Sequence, residues 1–344
     1  MSKRIVLLAT ERYCINMNDF YMFFRRSEHE IVAILYERKV AERAYWQDNH
    51  FSQAARLSVY DPMDFNAHRF LPWDRASDLL AKLDALSFDY VCMGNGNAEA
   101  QKAVVEHLGR EQCLFSEYGW LPWNEHFYIS RGGCGLESEL REYTAEDLRA
   151  QPIHSSALES LRMVFNRGKS VPNRSFVYVP LQKDVNDFKF LSSPFDSNEA
   201  FLDFVHEVVP GDYEVWVKTH PLYPKEYDLQ KYGRFRDISN ADYRKDQLYK
   251  TMAAMVCINS TSVLEALLFR QRVAAYGDDI FVGKDLVRFR PMDGQCFNEM
   301  LGTRQNGDQC DRFISLLLER QVHRSRCVED GEAYVRGHYW NIHV

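Results

Sequence analysis

Residues 90–117 read Tyr90-Val91-Cys92-Met93, then Gly94-Asn95-Gly96-Asn97, a helical pattern over 98–108, and Cys113-Leu114-Phe115 running on to Glu117. An apolar run closed by a Gly/Asn turn, then a helix, then a second apolar run is the strand–helix–strand unit of an α/β protein. Working outward, 4–9 and 31–36 read as strands, 18–26 as an amphipathic helix and 75–86 as a helix rich in leucine and alanine. Alternation of this kind predicts a parallel sheet with helices on both faces. Residues 137–172 are polar and helical, with Glu137, Glu139, Arg141, Glu142, Glu146 and Asp147, and read as the passage between domains. A second series follows, with strands at 175–181, 214–218, 255–258 and 273–276 and helices at 198–208, 246–254 and 263–269. The predicted architecture is α/β, two Rossmann-like domains facing each other across a cleft. Their bounds are 1–150 and 151–325, and a last segment, 326–344, packs back on the first domain.

Composition narrows the function. The 344 residues exceed the usual span of one domain, about 100–200 residues. Hydrophobic residues at 46% and charged residues at 26% describe an ordinary globular chain. No apolar run approaches the roughly 18 residues of a membrane span. The apolar part of the N-terminus, Ile5 to Ala9, is cut off by Thr10-Glu11-Arg12 and reads as a first strand rather than a signal peptide. A net charge of −7 argues against a nucleic-acid partner. Lys3, Arg4, Arg25 and Arg26 form a small basic cluster that could touch an anionic membrane surface, although a solvated face explains it better. The eight cysteines (Cys14, Cys92, Cys113, Cys134, Cys257, Cys296, Cys310, Cys327) lack CxxC spacing, and several lie in apolar runs. They predict free thiols in a reducing cytoplasm and, with histidines equally scattered, no metal cofactor.

Polar residues stand at several strand ends. Glu117 is followed by Tyr118-Gly119-Trp120-Leu121-Pro122-Trp123, whose aromatic and glycine content suits a surface that meets a flat or sugar-like ligand, or equally a rigid turn with Glu117 solvated. An unpaired carboxylate would be costly in a core strand. Lys218-Thr219-His220-Pro221 places a cation and an imidazole past a buried strand, and Asn259-Ser260-Thr261-Ser262 lies between a strand and a helix. Such a turn serves as a helix cap, a phosphate site or both, since the donors are the same. Glu265 sits early in an apolar helix and wants a partner, either a ribose hydroxyl or a neighbouring basic or backbone group. Gly277-Asp278-Asp279 could close the same crevice. Pro180-Leu181-Gln182-Lys183-Asp184-Val185-Asn186-Asp187 leads to Ser192-Ser193-Pro194-Phe195. A carboxylate here, opposed by Glu117, would suit retaining glycosyl transfer, in which one carboxylate attacks and another group serves as acid/base.

In order and spacing these segments resemble the capsule-polysaccharide-synthesis family of glycosyltransferases, specifically its retaining β-Kdo transferases. The likeness spans roughly residues 115–280, from Glu117-Tyr118-Gly119-Trp120-Leu121-Pro122 to Val263-Leu264-Glu265-Ala266-Leu267. It implies a GT-B-like fold and a CMP-β-Kdo donor bound mainly by the second half. It also implies transfer with retention to an oligosaccharide or glycolipid acceptor, in the cytoplasm, without a metal or other cofactor. The nucleophile would be Asp187, with Asp184 in reserve, and Glu117 the acid/base. His220 and Lys218 would stabilise the departing phosphate, Asn259, Ser260 and Thr261 would hold the CMP or the Kdo carboxylate, and Gln182 would orient the nucleophile or contact the sugar. Two departures stand out: the charged Lys183-Asp184, and Ser130 where an acid is expected. Rival readings are a transferase of another CMP-nonulosonate or a UDP-sugar, and a non-catalytic partner in polysaccharide assembly.

Overall fold

A computed structural model describes residues 2–10, 20–21, 23–24, 28–38, 69–122, 125–183, 192–221, 224–291 and 293–323. The chain divides into two compact units, Met1–Glu139 with Leu318–Val344, and Leu140–Leu317. The division falls at Leu140 and Leu318, where the sequence suggested 151 and 326. Most of the polar stretch 137–172 belongs to the second unit because its four leucines, Leu140, Leu148, Leu158 and Leu161, are buried there. Residues 326–344 lie outside the described residues.

The first unit holds β1 (Arg4–Ala9), β2 (Glu30–Glu37), β3 (Phe70–Trp73), β4 (Tyr90–Met93), β5 (Cys113–Tyr118), β6 (His126–Ser130) and β13 (Gln321–His323). Their order is β13-β6-β5-β4-β1-β2-β3. Neighbours from β3 through β5 run parallel, and β6 and β13 join antiparallel. The antiparallel edge corrects the expectation of an all-parallel sheet. Its cause is local: Gly119 lets the chain turn straight back beside His126, where any Cβ would overlap that residue. Such hairpins need only short connections, whereas parallel pairs need a crossover.

Continuous apolar strands are buried on both faces here, as parallel sheets require. Ile5, Leu7 and Ala9 pack with Phe20, Phe23 and Phe24 on one face. Val6 and Leu8 pack on the other with Leu79 and Leu83 of α1 (Ala76–Asp84) and Val104 of α2 (Glu99–Leu108). That alternation is the two-residue period of a strand.

The second unit holds β7 (Phe176–Pro180), β8 (Glu214–Lys218), β9 (Phe235–Asp237), β10 (Ala254–Cys257), β11 (Val273–Ala275) and β12 (Arg288–Phe289). All pair in parallel, in the order β12-β11-β10-β7-β8-β9. Its helices are α3 (Ala145–Arg149), α4 (Ser155–Val164), α5 (Asn198–Val208), α6 (Lys245–Thr251), α7 (Ser262–Leu268), α8 (Gly294–Gly302) and α9 (Gly307–Arg320). Val177 and Val179 of β7 pack with Phe201, Leu202 and Val205 of α5 and Phe297 of α8. Away from the strand ends, the carboxylate of Asp311 on α9 binds Arg162 of α4 at 2.7 Å and Arg270 at 2.5 Å.

Counted within each unit, both sheets contain the strand order 3-2-1-4-5 of two Rossmann-like units. In that order the crossovers from strand 1 and strand 4 leave in opposite directions, and a crevice opens at their C-terminal ends. The relevant pairs are β1 with β4, and β7 with β10. Cys92, Cys113, Cys257 and Cys310 are buried free thiols, and Cys134 and Cys296 are half-buried free thiols. Burial pushes the Cys113 thiol up to about 12, so it behaves as the small hydrophobe expected. Among the described residues no helix is long and apolar enough to cross a membrane.

Candidate functional site

In the first unit three strand ends converge at the crevice. Thr10 follows β1, Asn95 follows β4, and Glu117 lies at the end of β5. Asn95 Nδ2 donates to Glu117 Oε2 at 2.7 Å, and the Tyr118 N–H donates to Glu117 Oε1 at 2.9 Å. Asn95 Oδ1 accepts from the Asn97 N–H at 3.1 Å. The fully buried Gln101 of α2 accepts from the Gly96 N–H at 3.0 Å and donates to Thr10 Oγ1 at 3.3 Å. These bonds wire the strand ends together and terminate on one carboxylate. Glu117 is half-buried and hydrogen-bonded, which answers the cost of an unpaired acid.

Of the two readings of the stretch after Glu117, the described part is a turn. Trp120 is buried and stacked on Tyr128 with ring centroids 4.0 Å apart. The Trp120 and Leu121 N–H groups donate to Gln321 Oε1 of β13 at 2.9 and 3.1 Å. Trp120 and Leu121 thus belong to a packed hairpin turn, stacked on β6 and tied through the backbone to β13. Trp123 lies outside the described residues. Ser130 is buried in β6, and its hydroxyl has no hydrogen-bond partner among the described residues.

In the second unit the crevice is bordered by Gln182 after β7, by Lys218, Thr219 and His220 at the end of β8, and by Asn259 to Thr261 after β10. Gln182 is buried, and its carbonyl accepts from Asn198 Nδ2 of α5 at 2.9 Å. Lys218 is half-buried, and its ammonium makes no hydrogen bond or ion pair among the described residues. Burial, and then the charge of Lys245, hold it below the ordinary lysine range, while Glu265 and Asp242 oppose that shift. Beside it Thr219 is buried and bonded through its N–H and hydroxyl to Ser239 Oγ, both at 2.9 Å. His220 is half-buried.

Asn259 is 2% exposed. Its Nδ2 reaches Ser192 Oγ and the Asp278 carbonyl only at 3.5 and 3.4 Å, and its Oδ1 has no partner among the described residues. Ser260 Oγ accepts from the Ser262 N–H at 3.2 Å, so the capping role is filled by Ser260. Thr261 is exposed and makes no side-chain cap bond. For Glu265 the partner present is the basic one. Its carboxylate binds Lys245 Nζ at 2.7 Å and accepts from the Tyr249 hydroxyl at 2.5 Å. Asp278 pairs with Arg141, and its N–H donates to Ser192 Oγ at 3.2 Å. A Cβ on Gly277 would meet Ile258 at 2.9 Å and Asn259 at 3.1 Å, so glycine allows the turn after β11 to lie against Asn259.

The nucleophile candidates Asp187 and Asp184 lie outside the described residues. The segment that carries them leaves Lys183, just past β7, and returns at Ser192, which contacts Asn259 and Asp278. Among the described residues no cluster of three or more His, Cys, Asp or Glu side chains is arranged to hold a metal. Sequence reasoning missed Asn95, Gln101, Ser192, Lys245 and Tyr249 as partners in these sites. The available signal was Asn95 in a glycine turn after a strand, although a plain turn accounts for the same residues.

Residues 139–299 match the family model for capsule polysaccharide biosynthesis proteins, and the chain thus resembles that family over somewhat less than half of its length. The β-Kdo 2,7-transferase of Thermosulfurimonas dismutans KpsC shares 13% identity, with 96% of this chain and 99% of that one covered, at a TM-score of 0.55. The β-Kdo 2,4-transferase of the same protein shares 16% identity over 83% and 90%, at 0.48. UDP-GlcNAc 2-epimerase of Methanocaldococcus jannaschii shares 12% over 92% and 99%, at 0.39. At these identities the likeness to the first is one of fold. No curated protein matches the chain.

Proposed function

We propose that this chain is a retaining glycosyltransferase of surface-polysaccharide synthesis, moving Kdo from CMP-β-Kdo to a sugar acceptor. The observation that carries the reading is Lys218. A half-buried ammonium without a hydrogen bond or ion pair among the described residues stands at the crevice of a Rossmann-like unit. That unit lies largely within the stretch resembling capsule-synthesis proteins. A desolvated cation there costs folding stability, which an anionic ligand would offset.

In this reading a carboxylate oxygen of Asp187, or of Asp184, forms a bond to the anomeric carbon of Kdo as the bond to the CMP phosphate breaks. Lys218 and protonated His220 stabilise the charge left on CMP. Asn259, Ser260 and Thr261 hold the phosphate or the Kdo carboxylate, and Gln182 orients the sugar. Glu265 supports the site by fixing Lys245 and Tyr249 and by setting the field at Lys218. An acceptor hydroxyl then attacks the glycosyl-enzyme, releasing the aspartate, and its proton passes to Glu117. A single-phosphate leaving group lowers the need for a divalent ion.

The test is intact-mass spectrometry after incubation with CMP-Kdo. A covalent Kdo adduct is expected in the wild-type chain and absent in Asp187→Ala. Loss only in Asp184→Ala would keep the mechanism and move the nucleophile. No adduct together with no CMP release from CMP-Kdo would overturn the reading in favour of another donor or a non-catalytic role.

A further inference from the structure

Glu117 is held in a way that its own stretch of sequence does not announce. Its Oε2 accepts from Asn95, a residue 22 positions away on the neighbouring strand end. The Asn95 amide has a defined orientation, because its Oδ1 takes the Asn97 N–H at 3.1 Å and so directs Nδ2 at Glu117. The turn is fixed in its own right by Gln101, whose Oε1 binds the Gly96 N–H. Gly96 has φ of +84°, and a Cβ there would meet the Phe115 ring at 2.9 Å, so the turn presses close to β5 and requires glycine.

We infer that Asn95 is the positioning residue for Glu117, fixing the direction of its carboxylate and favouring its charged form. The inference rests on the role proposed above for Glu117 as the base toward the acceptor hydroxyl. A donor held against a carboxylate stabilises the ionised state. Among the titratable groups in its field are Tyr128 on β6 and Cys134 beyond it, both raised well above their ordinary values, by burial first. Both stay neutral across the working range. The backbone N–H of Tyr118 is a further donor, and side-chain substitution does not remove it.

Asn95→Asp separates this role from a merely structural one. The new carboxylate still accepts from the Asn97 N–H, so the turn keeps its bond, while the donor facing Glu117 becomes a second acid. With the protein labelled at glutamate Cδ, the Glu117 signal is identified by its loss in Glu117→Gln and titrated by carbon NMR. In Asn95→Asp its midpoint should rise by about one pH unit or more, the size of a like-charge effect at contact. The acid limb of Kdo transfer from CMP-Kdo should move by the same amount. Asn95→Ala, which only deletes the donor, should give a smaller rise in the same direction and serves if Asn95→Asp does not fold. An unchanged Glu117 midpoint in these variants would overturn the inference. If the wild-type chain transfers no Kdo from CMP-Kdo, the role of Glu117 fails, yet the titration still decides whether Asn95 controls its charge.

Discussion

The two units share the strand order 3-2-1-4-5 and open a crevice at the same topological point, but the residues placed there differ in kind. In the first, Gln101 ties Thr10 to the 95–97 turn, and Asn95 of that turn donates to the acid Glu117. In the second, a cation stands without an ion pair among the described residues, and the buried Asn259 is held only by long contacts. A wired carboxylate suits removal of a proton from a neutral hydroxyl. A desolvated ammonium and a loosely satisfied amide suit a strongly anionic ligand that brings the missing partners. One strand order thus carries two different sets of residues at its strand ends.

The largest effect should come from the acid. Glu117→Gln should lower the rate of Kdo transfer by about 10²- to 10⁴-fold, the usual weight of a positioned acid or base. CMP affinity and the urea midpoint should stay near wild type. Retention of full transfer in Glu117→Gln would remove the chemical meaning of the contrast.

Next comes a lesion in the second unit that touches neither crevice. Asp311 is buried and holds both Arg162 and Arg270. Asp311→Ala removes hydrogen bonds to both cations, of which Arg270 is half exposed, and should cost about 1.5–3 kcal/mol in urea unfolding, the weight of charge-assisted hydrogen bonds. A small loss would mean that the two arginines find water or new partners.

The smallest effect is a pH dependence. Lys284 is fully buried and donates to the Arg141 carbonyl at 3.0 Å. Burial pulls its ammonium down to about 8, with Arg141 adding to the shift. An unfolded lysine titrates near ~10.4. Between those values the unfolded chain carries a proton that the folded chain lacks, so this group makes stability rise with pH across that window. Below it both states are charged and the burial cost is present in full. Urea midpoints measured from pH 7 to 10 should show the rise in wild type and lack it in Lys284→Met. Equal slopes would mean that the ammonium is better solvated than its burial implies.

The long apolar runs made much of the fold legible. Tyr90–Met93 and Glu214–Lys218 are strands with the expected ends, and Asn198–Val208 is the expected helix. The short edge strands β9 and β12 were not legible, since Phe235–Asp237 and Arg288–Phe289 carry charged, exposed residues and owe their form to the neighbour they pair with. The amphipathic helix α9 was passed over for a different reason. Its apolar residues Phe313, Ile314, Leu316 and Leu317 are interleaved with Asp308, Asp311 and Arg312, and only the Arg162 and Arg270 contacts explain a buried aspartate among them. The site showed a similar split. Glu117 and Lys218 could be picked out as polar residues ending apolar strands. The Asn95 contact could not, because it joins two strand ends 22 residues apart. Trp120 misled the reading, since exposed and stacked tryptophans look alike in sequence, and its place is fixed by stacking on Tyr128 and by a backbone bond to Gln321, 201 residues along the chain.

The division of labour is tested most directly by calorimetric titration with CMP. The account predicts that wild-type protein binds CMP and prefers it to UDP. Lys218→Met should bind it ~10-fold or more weakly, the weight of a charge-assisted hydrogen bond to phosphate, and Glu117→Gln should bind as wild type does. A chain that ignores CMP, or one in which Glu117→Gln weakens CMP as much as Lys218→Met, would contradict it.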